Sequence, residues 1–332
     1  MCGHMKSKHQ NFHFISWPEL GYQQFLSKRN GEQRLGEKNV DVKQAQFVIL
    51  GIEESVGPRN NLGEAGAENG FKAFCAKFLN MQSTNTLVGD TVCLLGAVKS
   101  SDNLVIRPDM VEELDDFVTK VIDRFISPEQ VLIVVGGGHN NAFSIINSKR
   151  KSLNCRLNVV NLDAHADYRA LETRHSGNPF SYANDKGLMG KYFVLGLHHR
   201  YNNVATLNGL LRDQHYFTFF EDYIDRSRSL YEDIDFVATE LTASDLPFGI
   251  ELDMDAIENM PSSAVSSSGW SMMQARYYVR KLSRIQGCVY LHLPEAAPRN
   301  EVEMLLVGKA LSYLVSDFIS CHPFSNFKRL ST

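Results

Sequence analysis

The sequence predicts one α/β domain, built as three α/β/α layers around a mainly parallel sheet of about eight strands. Three observations carry that prediction. Eight short apolar runs recur along the chain. Segments with three- and four-residue apolar spacing lie between many of them. No composition break, proline-rich linker or internal repeat divides the 332 residues. Short strands buried on both faces and alternating with helices imply right-handed crossovers and a sheet covered on both sides.

The elements follow in chain order. Residues 1–44 are polar and poor in periodic signal, so they are expected to form an appendage or short helical lid, leaving 45–332 as the α/β/α domain. Residues 47–52, FVILGI, form a continuous apolar run, as a strand buried on both faces does. A second run covers 92–95. A helix is predicted over 109–125, where Val111, Leu114, Val118, Val121, Ile122 and Phe125 make one apolar stripe. Further strands are predicted at 131–135, 157–162, 193–197, 217–220, 248–252 and 289–293, with helices at 274–282 and 301–319.

Composition excludes several functions. The apolar fraction of 43% is ordinary for a folded chain. A net charge of -4 without a basic face argues against nucleic acid as partner. No apolar run is expected to reach the ~20 residues of a membrane span. The first 17 residues lack the apolar stretch of a signal peptide. Cysteines 2, 75, 93, 155, 288 and 321 stand singly, which reads as reduced thiols in a cytoplasmic protein.

In a parallel sheet, ligands bind beyond the carboxyl ends of the strands. Four apolar runs end there in polar chemistry. VLIVVGGGH closes on three glycines and His139. LNVVNLDAHAD runs into Asp163, His165 and Asp167, which a two-residue step puts on one side of an extended backbone. FGIELDMD ends in Asp253 and Asp255, again on one face. VYLHLPEAAP places Glu295 just past a strand, as a candidate partner for a cationic substrate group. Carboxylates at buried strand ends are costly unless a cation compensates them. Oxygens with imidazole suit Mn²⁺, Fe²⁺, Co²⁺ or Zn²⁺. Four aspartates with two histidines carry too much charge for one divalent ion and suit two.

Together, GGGH, DAHAD and LDMD resemble the three metal-binding signatures of the ureohydrolases, the family of arginase, agmatinase and formimidoylglutamase. The likeness runs from about Phe47 to the C-terminus. It implies an arginase-like fold and a dimanganese site, with other divalent transition metals also suited. His139, Asp163, Asp167 and Asp253 would hold one ion. Asp163, His165, Asp253 and Asp255 would hold the other, with Asp163 and Asp253 bridging. The resemblance further implies attack of a metal-bridging hydroxide on an amidine or guanidinium carbon, with Asp167 as proton shuttle. It implies a cytoplasmic homo-oligomer acting on a small molecule.

Departures refine the likeness. Arginases typically read GGDH, whereas Gly138 precedes His139 here. The HSGNPF loop places Phe180 where arginases carry a histidine, and resembles the SGTPF of formimidoylglutamases. GPRNNLG resembles the formimidoylglutamase loop VRRNxGRxGA, with Glu64 at its second arginine. Within the family the resemblance is thus to a divergent formimidoylglutamase, which converts N-formimidoyl-L-glutamate and water to L-glutamate and formamide in histidine degradation. Arginase, agmatinase and guanidino-acid hydrolases are the alternatives, followed by a metal-poor binding protein without activity. Arg59, Asn178 and, more weakly, Arg174 are candidates for the substrate carboxylates, and Glu295 for the amidinium. His292 is expected to be a hydrogen-bonded core histidine, Tyr277 and Tyr278 packing residues, His198 and His199 surface or satisfied loop histidines, and His4, His9 and His13 disordered polar residues, not a metal site.

Overall fold

The computed structural model describes residues 5–325 apart from 9, 86, 88 and 103. Its strands are β1 (Met5–Lys6), β2 (Phe12–Ser16), β3 (Phe47–Glu53), β4 (Val92–Ser100), β5 (Val131–Val135), β6 (Leu157–Leu162), β7 (Met189–Leu197), β8 (Tyr216–Phe219), β9 (Phe248–Leu252) and β10 (Cys288–Leu293). They form one sheet in the order β1-β2-β4-β3-β5-β10-β9-β6-β7-β8. Neighbours from β4 to β8 in that order are parallel.

All eight expected strands are present, but the sheet has ten. The two additions lie in the polar N-terminal stretch, where β2 pairs antiparallel with β4. Phe12 and Phe14 are fully buried there, and His13 and Ile15 between and beside them are only partly buried. Five residues of period-two alternation near a sheet edge are too short a signal to stand out in a polar segment.

Side-chain alternation along the strands explains the layers. In β3, Phe47 and Ile49 join an apolar cluster on one face, while Val48, Leu50 and Ile52 join the cluster on the other. Helices Gly70–Phe78, Leu230–Ala243, Met272–Leu282 and Glu301–Cys321 cover the first face. Helices Met110–Phe125, Asn141–Leu153, Pro179–Asp185 and Val204–Arg212 cover the second.

By length and composition helix Glu301–Cys321 could cross a membrane, the one such helix among the described residues. It packs instead against helices Gly70–Phe78 and Met272–Leu282, with 67% of its most apolar window buried. Its apolarity belongs to the outer layer's contact with the sheet. Among the described cysteines, Cys75, Cys155, Cys288 and Cys321 carry free thiols.

Candidate metal centre

The polar residues singled out in the sequence converge just beyond the carboxyl ends of β5, β6, β9 and β10. The turn after β5 depends on glycine. Gly136 has φ +88°, and a Cβ there would meet the Ile52 carbonyl oxygen at 2.7 Å. A Cβ on Gly138 would sit 2.3 Å from Pro58 Cδ, so the packing leaves no room for the aspartate of GGDH. The turn delivers His139, fully buried, among three aspartates. Its Nδ1 lies 2.9 Å from Asp167 Oδ2, 2.9 Å from Asp253 Oδ2 and 3.4 Å from Asp163 Oδ2.

A second group adjoins the first. His165 Nδ1 lies 3.1 Å from Asp255 Oδ2 and 3.6 Å from Asp163 Oδ1. Potential ligand atoms of His139, Asp163, Asp167 and Asp253 lie within 4.8 Å of one another, and so do those of Asp163, His165 and Asp255. Backbone geometry sets these positions. Asp163 Oδ1 accepts the His165 amide at 2.7 Å, and Asp253 Oδ1 accepts the Asp255 amide at 2.8 Å. Asp167 takes φ +46°, a left-handed conformation that ends the extended run.

The electrostatics are those of an unbalanced acidic cluster. Burial, reinforced by Asp163, pushes Asp167 up to about 6. Burial, then Asp255 and Asp163, raises Asp253. Burial opposes protonation of His139, yet its carboxylate neighbours hold it well above the usual imidazole range. Asp255 Oδ1 is buried without a hydrogen-bond partner. Crowded carboxylates, an orphaned oxygen and two imidazoles form a donor set that fits divalent cations.

Glu295 closes the group from β10. Its backbone is left-handed at φ +67°. Oε1 accepts the His139 amide at 2.8 Å, and Oε2 accepts the Ser263 hydroxyl. Burial lifts its carboxyl to about 8. Asp167, Asp253, Asp255, His165 and Glu295 all line a cavity of about 240 Å³.

The proposed carboxylate clamps are placed differently. Arg174 is buried away from the cavity. It pairs with Asp115 at 3.0 Å, donates to Asn178 Oδ1 at 2.6 Å, and lies 5.1 and 5.0 Å from the Phe143 and Tyr182 ring centres. Asn178 spends its amide on Arg174, the His175 backbone and the Thr173 carbonyl. Both therefore fix the 173–178 loop and lie outside the cavity wall. Arg59 is exposed and outside the cavity wall, although Pro58, Asn61, Leu62 and Gly63 line it. Phe180 is buried with its ring edge-on to His139 at 5.2 Å.

Arg174 illustrates the cost of breaking such a strut. Arg174→Met is expected to destabilise the fold by about 3–5 kcal/mol, because Asp115 is left buried without its cation. Denaturant unfolding measures this, and a loss under about 1 kcal/mol would refute the structural role.

The wall also contains residues missed in the sequence. Arg169 supplies its guanidinium, held to Asn61 Oδ1 at 2.8 Å and to Glu172 Oε1 at 2.9 Å. It continues the two-residue step of Asp163, His165 and Asp167, and that step was the available signal. Tyr201, stacked on His165 at 5.2 Å, Asn202 and Asn203 also line the wall, without any motif to reveal them. His292 is a buried, hydrogen-bonded core histidine as expected, 2.6 Å from Glu251 Oε2. His198 stacks between Tyr201 and Phe220. His4 and His9 lie outside the described residues.

The fold and this centre define an α/β protein with a buried acidic site whose donors suit divalent cations, at the carboxyl edge of its parallel strands. The chain belongs to the arginase family, whose sequence profile matches residues 45–315. The formimidoylglutamase of Macrococcus caseolyticus is 25% identical over 279 residues, covering 80% of this chain and 83% of that protein. The crystal structure of Bacillus subtilis formimidoylglutamase superposes with a TM-score of 0.76 at 14% identity, covering 90% of this chain and 95% of that one. Trypanosoma cruzi formiminoglutamase with Mn²⁺ gives 0.71 at 18% identity, covering 88% and 100%.

Proposed function

We propose that this chain hydrolyses N-formimidoyl-L-glutamate to L-glutamate and formamide, using two divalent cations, manganese foremost. The names of similar proteins support the substrate, and the Mn²⁺-containing trypanosomal structure supports the metal. One observation carries the reading. The cavity wall combines Asp167, Asp253, Asp255 and Glu295 with a single guanidinium among the described residues, that of Arg169. A molecule with an amidinium at one end and carboxylates at the other matches that wall. Agmatine, which has no carboxylate, would leave Arg169 unused.

The catalytic unit in this reading is residues 45–332. His139, Asp163, Asp167 and Asp253 would hold one cation, and Asp163, His165, Asp253 and Asp255 the other. Divalent cations there acidify water and stabilise developing charge near neutral pH. Glu295 faces the amidinium and ionises against it. Asp167 accepts a proton from the attacking water and returns it to the glutamate nitrogen as its bond to the formimidoyl carbon breaks. Arg169, not Arg59, Asn178 or Arg174, anchors a substrate carboxylate, because its planar fork binds one bidentately.

Assays of Mn²⁺-loaded protein with formimidoylglutamate, arginine, agmatine and guanidino acids test this reading, and clear preference for arginine would sink it. Arg169→Leu is expected to raise KM for formimidoylglutamate about 10- to 100-fold with a smaller change in kcat, the effect of losing a charge-assisted pair. An unchanged KM would remove Arg169 from the anchor role.

A further inference from the structure

A second row of buried polar side chains lies directly beneath the acidic cluster. Two residues before Asp163 stands Asn161, and two before Asp253 stands Glu251. Their spacing puts them on the same sheet face as the aspartates. The register sets Asn161 beside Glu251 and Glu251 beside His292, so the row crosses β6, β9 and β10. All three side chains are fully buried.

A carboxylate in the middle of a sheet is costly unless its oxygens are satisfied. Glu251 is held on every side. Oε1 accepts the Tyr290 hydroxyl at 2.8 Å, Oε2 meets His292 Nδ1 at 2.6 Å, and Tyr278 donates to the Glu251 carbonyl at 3.0 Å. The same Oε2 lies 3.4 Å from His139 Nε2, an atom with no hydrogen-bond partner of its own.

His139 thus presents two different nitrogens to two different environments. Nδ1 faces the three aspartates, and Nε2 faces Glu251. A neutral imidazole carries its proton on one nitrogen and a lone pair on the other. A carboxylate behind Nε2 favours the proton there and leaves the Nδ1 lone pair for a cation. His165 has its Nδ1 at Asp255, so the two cation positions are supported separately.

We propose that Glu251 is the positioning residue of His139, keeping its Nδ1 lone pair toward the cation position that His139 serves and leaving the His165 position untouched. The inference rests on the metal-binding reading above. Tyr290 and His292 act one step further out, by fixing the Glu251 carboxylate.

Mn²⁺ titration of the metal-free protein by calorimetry, with electron paramagnetic resonance to count bound ions, tests it. In Glu251→Gln, one of two binding steps is expected to weaken about 10- to 100-fold while the other holds. Glu251→Gln added to His139→Asn should cause no further loss, whereas added to His165→Asn its effect should appear in full. Tyr290→Phe, which removes a single hydrogen bond, should weaken the same step by less, and it serves if Glu251→Gln does not fold. Unchanged binding in a folded Glu251→Gln, or equal weakening of both steps, overturns the proposal. Uptake of less than about one Mn²⁺ per chain by the unaltered protein would overturn the metal reading itself, and the proposal with it.

Discussion

Asp163→Asn is expected to lower kcat for the proposed substrate, formimidoylglutamate, by at least about a thousand-fold and to remove Mn²⁺ binding at both positions, the loss expected when several kcal/mol of charge stabilisation disappears. Asp163, which with Asp253 is proposed to serve both cation positions, lies within both groups of ligand atoms, reaching His139 through Oδ2 and His165 through Oδ1. Both oxygens are acceptors: Asn161 Nδ2 donates to Oδ2 at 2.9 Å, and the His165 amide donates to Oδ1 at 2.7 Å. An asparagine amide must turn its NH₂ toward one of those donors, so the replacement also loses a buried hydrogen bond. Metal content after Mn²⁺ loading and steady-state kinetics check the result. Two bound ions with activity within about ten-fold of the unaltered protein would refute the shared-ligand assignment.

The empty acidic centre is expected to favour the folded state less as pH rises from about 5 to 8, and Mn²⁺ to offset that loss. Asp167 and Glu295 are lifted by burial to about 6 and about 8, above ordinary carboxyl values. A group whose folded pKa exceeds its unfolded value contributes stability that is complete below the unfolded value and is lost as pH climbs through the folded one. The raised His139 and Asp253 act in the same direction. Each tenfold weakening of a carboxyl's acidity on folding corresponds to ~1.4 kcal/mol, so the two carboxyls together contribute on the order of several kcal/mol. Cations favour the ionised carboxylates, so Mn²⁺ should raise the melting temperature more at about pH 8 than at about pH 5.5. Melting curves in chelator across this range, with and without Mn²⁺, decide the matter. A Mn²⁺-induced rise in midpoint no larger at about pH 8 than at about pH 5.5 would contradict it.

Most of the fold and the centre of the site were legible in the chain because their signals are local. Runs such as 131–135 must be apolar on both faces to lie inside a covered sheet, and that leaves an unbroken stretch in the sequence. Asp163, His165 and Asp167 sit at period two because an extended strand end presents alternate residues to one side. β2 was not legible, since its half-buried alternation occupies five residues of a polar segment. Helix Glu301–Cys321 was apolar enough to imitate a membrane span, and only its packing shows what the apolarity serves.

The side chains around the substrate divide the same way. Arg59, Asn178 and Arg174 have the right chemistry for a carboxylate clamp, but chemistry alone does not say which way a loop side chain points. Arg174 turns inward because Asp115, on the helix Met110–Phe125 far away in sequence, awaits a cation there. Arg169 reaches the cavity because Asn61 and Glu172 hold its guanidinium.

By itself, the amino-acid sequence determined the strand runs, the period-two ligands and the net acidity of the sheet's carboxyl edge, since each follows from residues adjacent along the chain. Only the tertiary structure decided which cation faces the cavity, which is buried as a strut, and that Glu251 stands behind His139. Those pairings join distant residues through strand register and helix packing, and no local pattern encodes them.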